Sequence, residues 1–234
     1  MPFTRPRHWL RWLIGGIVVL AALAVAGPFL YIHFFNGSTP AALTLSPSGS
    51  ASAASSASSS AMAGSWTVGS GSVVGYRVNE VLLGQNTTAV GRSTSVTGHL
   101  TIAGSTATAA SFSVTMDTIR SDKSQRDDRF DGPIMDVAKY PTGTFALTSP
   151  VDLAPLPAAR TVKTYTAHGK LTLHGTTRAV TVTLTAQRTA SGIKVAGQIP
   201  VLFSDYNIQN PSFAGFVTTQ DHGLLEFLLV FTRS

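Results

Sequence analysis

Between Ala167 and Ala186 apolar and polar residues alternate on either side of a short polar break at His174, Gly175, Thr176 and Thr177. Gly169, Leu171 and Leu173 share one face of the first run, and His168, Lys170 and Thr172 share the other. In the second run Val180, Val182 and Leu184 oppose Thr181, Thr183 and Thr185. A strand sends successive side chains to opposite faces, so the pattern predicts an antiparallel hairpin with one apolar and one wet face. Two strands cannot bury such a face alone. The remainder of the folded body must close around it.

The flanking sequence carries the same period. Trp66 and Val68 precede a glycine-rich break, after which Val74, Tyr76 and Val78 alternate with Val73, Gly75 and Arg77. Val96, Gly98, Leu100 and Ile102 oppose Thr97, His99 and Thr101. Gly104-Ser105 then turns the chain into Ala110, Phe112, Val114 and Met116, with Phe145 and Leu147 beyond. Ile193, Val195, Gly197, Ile199, Val201 and Phe203 alternate with Lys194 and Gln198, and Pro200 among them implies a sheet edge or a bulge. Leu224 to Phe231 is almost wholly apolar. Short strands with turns at regular spacing predict an all-β barrel or sandwich.

One segment departs from the pattern. Residues 119–137 are rich in both charge signs. Ser124 with Asp127 three positions on is a capping-box pattern, and Gly132-Pro133 is a stop signal. The expectation is one short helix lying across an end of the barrel.

Ahead of the body, Arg5, Arg7 and Arg11 precede an apolar run over 13–35, interrupted only by glycines, Pro28 and His33. A bilayer core needs about 20 such residues as helix, and no Lys or Arg follows until Arg77. This charge asymmetry predicts a cytoplasmic basic tail over 1–12, a transmembrane signal anchor over 13–35, and an extracytoplasmic body. Residues 36–65 are Ser/Ala-rich and read as a disordered linker, reaching on the order of 30 Å. The barrel domain then covers 66–234. A rival reading is a cleaved secretory signal at Ala24-Val25-Ala26, which would release the body. Both readings export it.

The chain has no cysteine, which excludes disulfides and thiolate metal sites. Three of its 17 Lys and Arg lie in the head, leaving 14 against all 11 acidic residues. So balanced a body lacks the basic face of a nucleic-acid binder. His99, His168, His174 and His222 have no metal-ligand spacing, and His99 and His168 fall on the wet faces. Asp127, Asp128, Asp131 and Asp136 interleave with Arg126, Arg129 and Lys139, the composition of a self-neutralising surface. Within it Arg126 or Arg129 could meet an anionic head group, which a guanidinium fork suits. No G-x-S-x-G elbow occurs, and Gly69, Gly71 and Gly75 miss the dinucleotide fingerprint. Asn86-Thr87-Thr88 fits a glycosylation acceptor, a pattern too common to count. No catalytic residue, metal or cofactor is expected.

The face predicted to point inward comprises Val74, Tyr76, Leu100, Ile102, Phe112, Val114, Met116, Phe145, Leu147, Leu171, Leu173, Phe203, Phe227 and Phe231. An eight-stranded barrel is just wide enough to be filled by such side chains or to hold one small ligand.

Three stretches resemble the YceI-like family of exported bacterial proteins. R-D-D-R-F, D-V-A-K-Y-P and T-F between Ser124 and Phe145 look like its charged segment and the strand that follows. G-K-L-T-L-H-G-T-T over 169–177 is similar to its hairpin. F-S-D-Y-N-I within 199–231 resembles the turn before its closing strands, whereas Gly69-Ser70-Gly71-Ser72 departs from the acidic and His-Ser residues many members carry. The resemblance spans about 66–234. It implies a lipocalin-like antiparallel β-barrel of about eight strands whose interior holds a long apolar, isoprenoid-type lipid. Each buried CH₂ contributes about 0.8 kcal/mol, so such a chain needs no charged contact to bind. On this reading the protein is an exported, membrane-tethered lipid-binding protein and not an enzyme. The alternatives are a ligand-free stress or adhesion scaffold, and an enzyme using the Asp127/Arg126 segment.

Overall fold

The computed structural model describes residues 14–17, 20, 39–45, 62–82, 84–156, 159–212 and 217–234. The expected basic tail and most of the expected anchor and linker lie outside the described residues. Among the described residues no helix is long and apolar enough to cross a membrane. Part of the expected linker lies against the body. The Pro40 carbonyl accepts a hydrogen bond from Arg77 Nη2 at 2.7 Å. Met62 is buried, and its carbonyl accepts the Trp66 indole N–H at 3.0 Å. The folded body thus begins ahead of Trp66, where the sequence reading placed its start.

Twelve strands follow among the described residues: β1 (Gly64–Val68), β2 (Val73–Leu82), β3 (Gln85–Ser93), β4 (Val96–Ala103), β5 (Thr106–Thr115), β6 (Thr142–Leu147), β7 (Val151–Asp152), β8 (Val162–Leu173), β9 (Thr176–Arg188), β10 (Ile193–Leu202), β11 (Val217–Thr219) and β12 (His222–Arg233). They make an eight-stave antiparallel barrel. β1, β4, β5, β6, β8, β9, β10 and β12 pair in that order, and Trp66–Val68 against Phe231–Arg233 closes the ring. β1 and β2 lie end to end along β12 as one interrupted stave, as do β4 and β3 beside them. Ser72 pins the interruption, donating to the Gly69 carbonyl at 2.7 Å and accepting the Val230 N–H at 2.9 Å.

The hairpin of β8 and β9 is longer than its alternation suggested, paired from Val162↔Gln187 to Leu173↔Thr176. Its turn is His174-Gly175, with φ of 46° and 72°. Two consecutive positive φ values are what a two-residue turn needs to match the strand twist. Leu171 and Leu173 are buried and His168, Lys170 and Thr177 exposed, as the periodicity requires. β3 was not legible in this way. Its inward positions Thr87, Ala89, Gly91 and Ser93 are small or polar, so the stretch carries no apolar alternation.

The short helix α1 spans Ser124–Arg129, and a single π turn, Phe130–Ile134, extends it. The expected capping box does not form. Ser124 is already helical, so Asp127 instead accepts the backbone N–H and hydroxyl of Ser121, at 2.8 and 2.7 Å. Gly132-Pro133 does not stop the chain either. The Met135 N–H to Phe130 carbonyl bond (3.0 Å) spans Pro133 without needing its missing N–H. Phe130 stacks on Tyr76 of β2 with ring centroids 5.1 Å apart, which docks this excursion onto the barrel.

Pro200 marks an edge. β10 pairs with β12 along its whole length, from Ile193↔Phe231 to Leu202↔His222. With β9 it pairs only from Ile193↔Arg188 to Gln198↔Thr183. Proline has no N–H to offer a ladder, and beyond Gln198 the two strands run on unpaired. β10 also ends at Leu202, so Phe203 begins a 3₁₀ turn to Tyr206 where the alternation predicted more strand.

Candidate functional site

Three apolar cavities lie in file inside the barrel. The first, about 110 Å³, is bordered by Leu100, Ile102, Phe112, Phe145, Leu147, Phe227 and Phe231 among others. The second, about 40 Å³, is bordered by Val74, Phe112, Val114, Met116, Leu171, Leu173 and Phe227. The third, about 120 Å³, lies under α1 and the π turn, bordered by Tyr76, Met116, Phe130, Leu173 and Phe203. Every inward position named from the sequence therefore borders at least one cavity.

Phe112 and Phe227 stand between the first two cavities, and Met116 and Leu173 between the second and third. Phe112 stacks on Phe145 of the neighbouring strand at 5.3 Å and meets Phe227 from across the interior at 5.6 Å. Glycines make room for these rings. A Cβ on Gly169 would lie 2.4 Å from the Phe145 ring, and one on Gly197 would lie 2.5 Å from that of Phe227. The interior is thus hollow but divided by side chains that meet across it. Together the cavities fall just short of the roughly 300–1,000 Å³ of ordinary ligand sites. A long occupant needs the Phe112 and Phe227 rings to swing aside.

The polar groups of the site sit at the ends. Arg126 borders the third cavity and is engaged by Glu80 at 3.5 Å and by Asp122. Burial pushes the Tyr76 phenol up to about 12, against the pull of the Arg126 guanidinium. The Thr219 hydroxyl, which borders the same cavity, and Arg188 Nε, whose residue borders the first, are buried without a hydrogen-bond partner. Arg129, the other candidate for a head group, ends α1 and does not border these cavities. Asp127 is occupied with Ser121. His99 lies beside the Ser111 hydroxyl at 3.3 Å and His168 beside that of Thr181 at 3.1 Å, both on the outer face. Among the described residues no cluster of His, Asp or Glu has metal-binding geometry.

The sequence reading passed over one further group. Glu226 alternates with the inward Leu225 and Phe227, borders the second cavity and is only 1 % exposed. It accepts Arg77 Nε at 3.0 Å, Gln198 Nε2 at 3.0 Å and the Arg92 guanidinium. Its signal was present: it is the single charge in the apolar run from Leu224 to Phe231.

The family model for the YceI-like domain matches residues 66–231. Among curated proteins, none matches the sequence. Two of the solved structures that this chain resembles illustrate the shared fold. A polyisoprenoid binding domain from Saccharophagus degradans, implicated in plant cell wall breakdown, is 16% identical with a TM-score of 0.60, over 74% of this chain and 99% of that one. BcnA of Burkholderia cenocepacia is 21% identical with a TM-score of 0.51, over 66% of this chain and 95% of its own. The chain belongs to the YceI-like domain family.

Proposed function

We propose that the barrel binds a long, apolar, isoprenoid-like lipid along the file of cavities, with Phe112, Phe145 and Phe227 as its principal contacts. The observation that carries this reading is the lining: three neighbouring cavities bordered almost wholly by apolar side chains, with Phe112, Phe227 and Ile199 shared by the first two and Met116, Ile119, Leu173 and Leu225 by the second and third. The polyisoprenoid-binding description of the Saccharophagus degradans domain supports it at the level of the fold. A polar head group would rest at the third cavity, where Arg126 and the Thr219 hydroxyl offer the donors. In the same proposal residues 13–35 anchor the chain in the cytoplasmic membrane, the N-terminus stays inside, and the barrel works outside as a carrier or store. Cleavage after Ala26 would secrete it.

The test is organic extraction of the purified full-length protein followed by mass spectrometry. A stoichiometric long-chain lipid is the expected result. Repeatedly empty extracts, together with no uptake of added polyprenol, would leave a ligand-free scaffold instead.

A further inference from the structure

Where the β9–β10 ladder stops, the wall of the barrel is a single side chain thick. Ile199 is 1 % exposed and borders the first and second cavities from inside. The same residue borders an outer groove of about 370 Å³ between the two strands. Pro200 and the 41 % exposed Leu202 form one lip of the groove, and Arg178 and Val180 form the other. Below Gln198↔Thr183 no ladder joins the lips. Side chains hold them instead. Arg178 Nε donates to the Asp205 carbonyl at 2.9 Å, His174 Nδ1 lies 3.2 Å from the Tyr206 carbonyl, and Asn207 donates to the Thr176 hydroxyl at 3.0 Å.

The ends of the barrel are built differently. Met62 is packed into the core at the first cavity, and Phe130, Met135 and Ile208 are buried around the third. Opening an end unpacks core side chains, each of which gives up many close contacts. Opening the seam breaks no backbone ladder, exchanges three outer hydrogen bonds for bonds to water, and displaces Ile199 and Tyr206.

We propose that the apolar chain enters and leaves through the side of the barrel, between β9 and β10, with Ile199 as the gate and the Arg178–Asp205 contact as its principal latch. The exposed Leu202 gives an arriving chain an apolar first contact. This inference rests on the reading that the interior binds such a chain.

The test uses the full chain loaded with geranylgeraniol, an isoprenoid alcohol, and follows its transfer to phosphatidylcholine vesicles. Ala179 and Leu202 border the groove from opposite lips. In a chain without cysteine, the pair Ala179→Cys and Leu202→Cys can bridge only across the seam. The oxidised form should release its cargo roughly tenfold or more slowly than the reduced form, because opening then limits release. Both forms should hold the same amount at equilibrium. Pro200→Val, which restores an N–H to the ladder, should slow release without any cross-link. Equal rates for oxidised, reduced and Pro200→Val proteins would overturn the portal. No uptake by the unaltered protein would instead overturn the binding reading, and the portal with it.

Discussion

β10 has two edges, and they are built differently. Against β12 it is hydrogen-bonded from Ile193 to Leu202, and that flank is clamped from outside by Glu226 between Arg77, Arg92 and Gln198. Against β9 it is hydrogen-bonded only as far as Gln198, and the rest is held by Arg178, His174 and Asn207. One flank carries structure. The other closes a gap that can open without unzipping anything. A closed barrel has no aggregating edges, so a stave paired on one side over only six of its ten residues is a local exception with a definite cause in Pro200.

Breaking the clamped flank should have the largest effect. The side chain of Glu226 is fully buried, and those of Arg77 and Arg92 are only 18% exposed. Glu226→Ala leaves two largely desolvated guanidinium groups without their carboxylate, a loss of about 3–5 kcal/mol in urea denaturation. Glu226→Gln, which keeps a hydrogen-bond acceptor, should lose less. Equal stability of Glu226→Ala and the parent would show that the clamp carries no structure.

Next in size is a pH limit at Tyr76, on the cavity side of β2. The folded phenol ionises near 12, above its ordinary value of 10.0. The unfolded chain therefore gives up this proton first. The group contributes roughly 2–3 kcal/mol below pH 10, and that contribution drains away as the pH rises towards 12. Tyr76→Phe should remove this part of the alkaline fall, measured as the difference between the two stability–pH curves above pH 10.

On the unclamped flank the thermodynamic effects should be small. Arg178→Ala removes one partly solvated hydrogen bond, worth about 0.5–1.5 kcal/mol. Its signature lies in local opening: the amide hydrogens of Ile199, Val201 and Leu202 should exchange faster in Arg178→Ala, while those of 193–198 keep their parent rates. Uniform acceleration along β10 would place the weak point elsewhere.

Much of this was legible in the chain. Alternation assigned Leu171, Leu173 and Phe112 to the inside and His99 and His168 to the outside, because a strand's two faces meet different solvents. Pro200 announced an edge or a bulge, though not which neighbour it had lost. β3 was missed because small inward residues leave no apolar stripe. The capping box failed because α1 takes in Ser124, leaving Ser121 to meet Asp127. Glu226 stood out as a charge in an apolar run, but its partners on β2, β3 and β10 lie 149, 134 and 28 positions away in the chain.

The sequence by itself determined most of the long strands, the faces on which their apolar residues lie and the family, since these follow from local periodicity and short motifs. Only the tertiary structure decided that the interior keeps three cavities, that Phe112 meets Phe227 between them, and that β9 and β10 part below Gln198. Those are properties of volumes and ladders between residues far apart in the chain, and no period along it encodes the space left when eight staves close.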